Sequence, residues 1–473
     1  MAASHQEAEV PVMQVLEKAH YFTQALVPVP GAVPYPPPHG PLLAPPPHPR
    51  RLPHPQQRHL RGSRLLGPLV GRAPAARGRA DPAPTTIQKS TAASARGGTP
   101  RSSPRPLPEA GGPQQGDFVF GYLPLATLAQ DVEFRVDDEV PGHVLATSAY
   151  RARLMPFYNR YFTVARDSAV ATQLRAAVTA RNQNSSGKSA AFSDDSLGFD
   201  ALYFALFECG HLVAKFMFDA ANPIHPGMGP DAPAQTPWTR EMADLAGATV
   251  VLFAPASKTA LAMGFEMRKR AKTGSEGPKR VVGAASEASR EFVEGTGIYD
   301  VTVSTKETPN AEFLSKKLGV DMGAGDKVVL IDCGGRAGVG QSWAGAFRKL
   351  CQPGRFLLVG IGSEAGEHSP EDVLKRFAPK EGDDSGEKEV PWFMQVNTGD
   401  LRERAAARVG RGTVFEGTEA AYAAFKREGV KGFKVRWGEG MEAVQGVGRG
   451  WLRGRRGRRR GWRSCCEGIA GRM

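Results

Sequence analysis

From Thr249 to Ile361 short apolar runs alternate with amphipathic stretches, and this alternation leaves the chain few folds to choose from. Thr249–Phe253 (TVVLF), Arg280–Val282, Tyr299–Val303, Lys327–Asp332 (KVVLID) and Arg355–Ile361 (RFLLVGI) read as strands. Thr259–Arg270, Ala288–Val293, Ala311–Leu318 and Gln341–Leu350 read as the helices between them. Short apolar strands without a polar face are buried on both sides, which requires a parallel sheet covered by helices. The prediction is an α/β fold: a Rossmann-type doubly wound parallel sheet of about five strands, with Thr249–Phe253 at its centre. An α/β fold with no nucleotide site shares this pattern, so the turns after the strands must decide.

A dinucleotide site needs a tight first turn, backbone close to the pyrophosphate, and a helix N-terminus aimed at the phosphates. The turn here reads APASKTALA, and the three positions a glycine fingerprint would occupy are Pro255, Ser257 and Ala260. None is glycine, so the fingerprint is weak. The chemistry still suits an anion: Ser257 and Thr259 offer hydroxyls and Lys258 a positive charge. A lysine there opposes the positive end of the helix dipole, which favours an anion over a solvated lysine. The second strand runs into VVGAASEASR. Ser286 with Arg290 at this corner suggests NADP, and Glu287 keeps NAD open as the less favoured cofactor. Asp332 and Cys333 end the fourth strand, and Gly360 and Ile361 the fifth, at the edge where such sheets bind ligands.

Outside this region the chain changes character. Residues 1–115 hold 23 of the 38 prolines and are rich in Arg. Such a segment buries too little apolar surface to offset its chain entropy and is expected to be disordered, apart from a short helix near Val12–Leu26. Residues 446–473 form a second Gly/Arg tail. Each tail carries a net charge of +8, so of the total +13 the middle of the chain keeps −3. The middle therefore offers no nucleic-acid footprint. The run RGRRGRRRGWR (453–463) keeps a tail-driven phosphate-backbone binder open, against a solvated basic run. Between the tails, the remaining divisions are expected at 116–240, 241–365 (the nucleotide-binding domain) and 366–445, the last carrying a helix at 418–429 and a strand at 432–437. Asn182–Asp195, Pro223–Pro237 and 380–389 read as loops, and Leu197–Asp219 as a long apolar helix.

The five cysteines form no CxxC and no His/Cys spacing for zinc, so no metal is expected. No apolar run reaches the length that spans a bilayer. The acidic start MAASHQEAEV lacks the form of a secretory signal. The expectation is a cytoplasmic protein; Arg-rich, acid-poor residues 40–108 leave a transit peptide open.

Four strings resemble an uncharacterised family of unknown function allied to the quinone-oxidoreductase branch of the medium-chain dehydrogenase/reductase superfamily: GDFVFGYLPLA (116–126), YRARLMPFYNRY (150–161), APASKTALA (254–262) and GIYDV (297–301). The resemblance covers roughly Asp117 to Gly362. It implies a GroES-like β domain beside the Rossmann domain, with 366–445 returning to the substrate side. The activity it implies is zinc-independent, NADP-dependent reduction of a carbonyl, enone or quinone. In place of the first GroES-like strands stand 115 Pro/Arg-rich residues, which predicts a truncated β domain with open sheet edges. On the substrate side Tyr122, Tyr158, Asn159 and Tyr161 are the catalytic candidates, because a tyrosine hydroxyl can polarise a carbonyl or protonate an enolate. Aromatic packing is the competing reading of the same residues. Arg151 is either a phosphate clamp or a local partner, and His211, on an apolar helix, reads as a core histidine. A small-molecule substrate and a homodimeric partner are expected, without membrane or nucleic acid. The alternative function is a non-catalytic nucleotide-binding or scaffold protein with an incomplete substrate domain. A methyltransferase would want a glycine-rich first turn, which APASK lacks.

Overall fold

The computed structural model describes residues 117–122, 132–172, 195–273, 277–361, 392–428 and 436–439, with short gaps inside these spans. It also describes short strands at 12–16, 24–28, 69–72, 88–89 and 469–472. The rest of the two tails, the basic run at 453–463, most of the Asn182–Asp195 loop and the 380–389 loop lie outside the described residues. The chain groups into two units, 1–202 and 203–434, with small C-terminal pieces assigned to each.

In the first unit, β1 (Val12–Leu16) and β2 (Gln24–Pro28) pair antiparallel. This replaces the helix expected near Val12–Leu26. The β-branched Val12, Val15 and Val27 favour extended backbone, and each strand supplies the other's hydrogen bonds. A six-stranded antiparallel sheet follows, from β3 (Leu69–Arg72), β4 (Gln88–Lys89), β5 (Phe118–Gly121), β6 (Phe134–Val136), β7 (His143–Ala146) and β8 (Arg160–Val164). Its order is β4-β3-β5-β8-β7-β6. The sheet stands where the resemblance puts the GroES-like domain. One expectation is corrected: β5 does not present an open edge, because β3, from within the Pro/Arg-rich segment, pairs along all four of its residues. Val119, Val132, Phe134, Val144, Ala146 and Tyr161 form the core of this sheet. Gly121 lies opposite Tyr161 in the ladder, where a Cβ would overlap the ring.

The second unit opens within the helix α1 (Asp195–Leu212), whose last turn widens into a π-helix at Val213–Met217. After the short α2 (Arg240–Ala243) come β9 (Thr249–Phe253), α3 (Lys258–Thr273), β10 (Arg280–Ala285), α4 (Glu287–Thr296) and β11 (Val301–Ser304). Then follow a π turn at Phe313–Lys317, β12 (Val328–Asp332), α5 (Val339–Leu350) and β13 (Phe356–Gly360). β14 (Phe393–Gln395), α6 (Thr398–Val409) and α7 (Arg411–Glu428) complete the unit. All strand pairs of this sheet are parallel, in the order β11-β10-β9-β12-β13-β14. Counted along the unit, that is 3-2-1-4-5-6, the doubly wound order. β9 is central, as its uninterrupted burial requires. β14 is the strand beyond the five expected; three residues at a sheet edge carry almost no periodic signal. α6 and α7, from the region expected to return to the substrate side, group with this unit. The basic tail also contributes β16 (Ile469–Arg472), which pairs in parallel with β15 (Arg436–Glu439), both short.

The core on one face of the sheet joins Val251, Phe253, Leu330 and Leu358 to Trp343 and Phe347 of α5. Phe253 meets Trp343 edge-on at 5.2 Å between ring centroids. α1 binds its neighbours through polar contacts inside an apolar helix. Glu208 accepts two hydrogen bonds, at 2.6 and 2.5 Å, from the buried Arg402 of α6. His211 Nδ1 lies 3.0 Å from Glu266 of α3. His211 is thus a buried histidine with a fixed partner, as its apolar surroundings implied.

Candidate functional site

The candidate residues of the first unit come together, and most are engaged with one another. Arg151 is buried; its Nε donates to Asn159 Oδ1 at 3.0 Å, and its Nη2 donates to the carbonyls of Tyr122 (3.1 Å) and Tyr158 (2.6 Å). Asn159 returns a bond to the Arg151 carbonyl. The Tyr161 hydroxyl donates to the Tyr122 carbonyl at 2.5 Å, and the ring is fully buried beneath the Arg151 guanidinium. Burial pushes the Tyr161 phenol well above its ordinary range. The Tyr161 hydroxyl and the Arg151 guanidinium thus both support the backbone at Tyr122, the residue after β5. Tyr122 and Tyr158 differ: both rings are half-buried and packed edge to face at 5.1 Å.

In the second unit the chemistry gathers at the C-terminal ends of β9, β10, β12 and β13. β9 and β12 are neighbours, yet the chain leaves them toward opposite edges of the sheet, which opens a crevice between their ends. Ala254, the residue after β9, has φ of +51° and is the described non-glycine residue with positive φ. A side chain held in that region costs about 1–2 kcal/mol, and such strain collects where backbone must approach a ligand. The glycine-free turn thus adopts backbone that a glycine would adopt without strain. Ser257 closes the turn: its amide donates to the Ala254 carbonyl, and its Oγ accepts the Ala260 amide at 3.3 Å, capping α3. Lys258 and Thr259 then open the helix, half-buried. The Pro255 carbonyl accepts the buried Tyr299 hydroxyl at 2.7 Å, which ties the turn to the segment before β11.

Ser286 is the exposed N-cap of α4, at the end of β10, and its Oγ lies 3.0 Å from Ser289 Oγ. Arg290 does not reach back to Ser286; it pairs with Glu294 one turn further on, at 2.8 Å. Glu287 accepts from the Ser304 hydroxyl at the end of β11.

After β12 the chain makes a second turn, rich in glycine (Gly334, Gly335, Gly338 and Gly340), whose string CGGRAGVG was a signal the first-turn reading passed over. Asp332 organises it: Oδ1 accepts the amides of Gly334 (2.9 Å) and Gly335 (2.6 Å), and a Cβ on Gly340 would stand 2.8 Å from Oδ2. Gly334 and Gly338 both have positive φ. The Ile361 amide donates to the Asp332 carbonyl, bringing Gly360 and Ile361 to the same edge. Cys333 sits beside Asp332, and burial pushes its thiol far above the usual range, which favours the neutral thiol. Two backbone-exposing turns thus stand at the C-terminal ends of neighbouring strands, with Ser257, Lys258 and Thr259 at the end of the first turn and the start of α3.

Residues 112–460 match the model of the family described as protein of unknown function (DUF2855). The chain belongs to that family. No curated protein matches it. Among solved structures, similarity extends to mycobacterial Rv1454c complexed with NADPH, at 11% identity over 93% of this chain and 95% of that one, TM-score 0.39. CurA from Vibrio vulnificus is similar at 13% identity over 83% and 88%, TM-score 0.36. L-idonate 5-dehydrogenase from Escherichia coli is similar at 10% identity over 82% and 88%, TM-score 0.30.

Among the described residues no helix is long and apolar enough to cross a membrane, and no group of three or more His, Cys, Asp or Glu could hold a metal ion.

Proposed function

We propose that this chain is an NADP-dependent oxidoreductase of medium-chain type that reduces a carbonyl, enone or quinone group of a small molecule. The observation that carries the reading is the pair of turns flanking the switch point. One is strained at Ala254 and the other rich in glycine, and both bring backbone to the C-terminal edge of a 3-2-1-4-5-6 sheet. Bound NADPH would supply the hydride. The chain's own part is to hold it: the amides and hydroxyls at the start of α3 take the pyrophosphate, and Ser286 meets the ribose corner. Arg290 would leave Glu294 for the 2′-phosphate, a bidentate acceptor of greater charge. Tyr122 and Tyr158 are the substrate-side candidates on this reading.

Titration of the full chain with NADPH and NADH, followed by cofactor fluorescence, tests the proposal. Tighter binding of NADPH is expected; a preference for NADH would assign the ribose to Glu287, and no binding of either would end the reading. A second reading, a nucleotide-binding protein without turnover, draws on the engagement of Arg151, Asn159 and Tyr161 in backbone support. It predicts NADPH binding with no oxidation by any quinone or enone.

A further inference from the structure

The string GIYDV (297–301) joins α4 to β11 and grips the elements on either side of it. Gly297 ends α4 in the left-handed region, with φ of +64°, and its carbonyl accepts from Arg268 of α3. The Asp300 amide donates to the Val281 carbonyl at 2.8 Å, and Asp300 Oδ2 accepts the Val281 amide at 2.9 Å. The segment is therefore clasped to β10 in both directions.

Tyr299 stands at the middle of this brace and is buried. A Cβ on Gly264 of α3 would come within 3.1 Å of Tyr299 Cε1. A Cβ on Gly283 of β10 would come within 3.1 Å of Tyr299 Cγ and 3.2 Å of Pro255 Cβ. The ring thus lies against two glycines, one on the helix and one on the strand, and Pro255 shares the second. Its hydroxyl donates to the Pro255 carbonyl at 2.7 Å. That bond fixes the peptide plane after Pro255, because carbonyl and plane are one rigid unit. On the other side, Phe253 is fixed in the central strand. Ala254 has to join two fixed neighbours, and it does so at φ of +51°. An alanine left to itself avoids that region by a factor of about five to thirty in population.

The simpler reading is that Tyr299 fills the space between α3 and β10 and that its hydroxyl finds a nearby acceptor. It accounts for the two glycines. It makes no connection between the hydroxyl and the strain one residue before its acceptor, and there the two readings part.

We propose that Tyr299 is a positioning residue for the cofactor. Its hydroxyl holds Ala254 in the left-handed backbone that a glycine would adopt unaided, and so keeps the start of α3 set for the pyrophosphate. The inference rests on the reductase reading above. The pyrophosphate is common to NADPH and NADH, so the hold acts on both alike.

Four full-length chains test it: the native chain, Tyr299→Phe, Ala254→Gly and the double variant, each titrated with NADPH and with NADH by cofactor fluorescence. Tyr299→Phe keeps the ring against both glycines and removes only the hydroxyl. It should weaken both cofactors equally, by about five- to thirty-fold, because Ala254 relaxes and the binding-competent turn becomes the minor state. Ala254→Gly alone should leave both affinities within about three-fold of native. In the double variant the glycine takes up the turn without help, and both affinities should return to within about three-fold of native. Loss of packing alone would leave the two substitutions independent. A Tyr299→Phe chain that binds like the native one, a loss confined to NADPH, or a double variant as weak as Tyr299→Phe overturns the inference. Failure of the native chain to bind either cofactor sinks the reductase reading instead. Urea unfolding of the same four chains then judges the hold: the midpoint shift caused by Ala254→Gly must differ between the native and Tyr299→Phe backgrounds, and equal shifts overturn it.

Discussion

Ala254, the Arg290–Glu294 pair and Lys327 each set a local balance in the second unit that can be measured. Ala254 holds a backbone conformation that costs an alanine about 1–2 kcal/mol, whereas glycine pays about 0.5–1 kcal/mol in lost chain freedom. Ala254→Gly should therefore raise stability by no more than about 1.5 kcal/mol, and Ala254→Val should lower it by about 1–3 kcal/mol; urea midpoints at constant slope would show both. On the proposed reading, Glu294 and the cofactor's 2′-phosphate compete for Arg290. Arg290→Ala should weaken NADPH by about one to two decades and spare NADH, because a charge-assisted bond to the phosphate disappears. Glu294→Ala, which frees Arg290 from its i,i+4 partner, should tighten NADPH by about two-fold at most. Equal losses of NADPH and NADH in the first variant would make Arg290 a support of the fold. Lys327 ties the start of β12 to α2, its Nζ donating to the carbonyls of Glu241 (2.7 Å), Met242 (2.9 Å) and Asp244 (2.7 Å). Burial pushes its amine down to about 8. Between that pH and the unfolded lysine's value near 10.4, the unfolded chain holds a proton that the folded chain has lost. Stability relative to Lys327→Met should therefore rise with pH through this window. A difference that stays flat from pH 7 to 10 would mean that the three carbonyls offset burial and keep the amine charged.

At the scale of elements, α1 packs tightly on α3 at Gly210. A Cβ there would stand 2.8 Å from Ala262 Cβ and 2.9 Å from the Met263 amide nitrogen, in the first turns of α3. Gly210→Val should cost about 1–3 kcal/mol by overpacking and weaken NADPH as well, since α3 must retreat from the crevice. A loss of stability with unchanged NADPH affinity would show that α1 yields and α3 stays. The strands from β9 to β13 were legible because most are short apolar runs buried on both faces, which the lack of a polar alternation reports directly. The hairpin at Val12–Pro28 was not, since runs so short and apolar suit helix and strand alike. The crevice was half legible. Ser257, Ser286 and Gly360 follow from where strands end, but the Asp332-centred turn needed its glycines to be read after the fourth strand as well as the first. Tyr161 and Arg151 stood out by residue type, and only the tertiary structure shows that both donate to the Tyr122 carbonyl.

At the scale of the whole molecule, the Pro/Arg-rich segment is more than a tail, for β3 and β4 complete the antiparallel sheet of the first unit. Deleting residues 1–111 would strip the ladder from β5 and leave a row of unpaired amides and carbonyls on Phe118–Gly121. Concentration-dependent self-association of the truncated chain, measured by light scattering, is expected; a truncated chain that scatters like the native one would remove β3 from the sheet. The alternation of apolar runs by itself determined the doubly wound sheet and its central strand, because burial on both faces is written into each strand's own residues. Composition by itself determined that charge sits in the tails. The tertiary structure alone decided which strand covers the β5 edge, that Arg402 pairs with Glu208, and that Arg404 of α6 holds the carbonyls of His225 and Gly227. Each of these depends on a partner far away in sequence, and no local pattern records which of many equivalent carbonyls, carboxylates or strand edges a residue will meet.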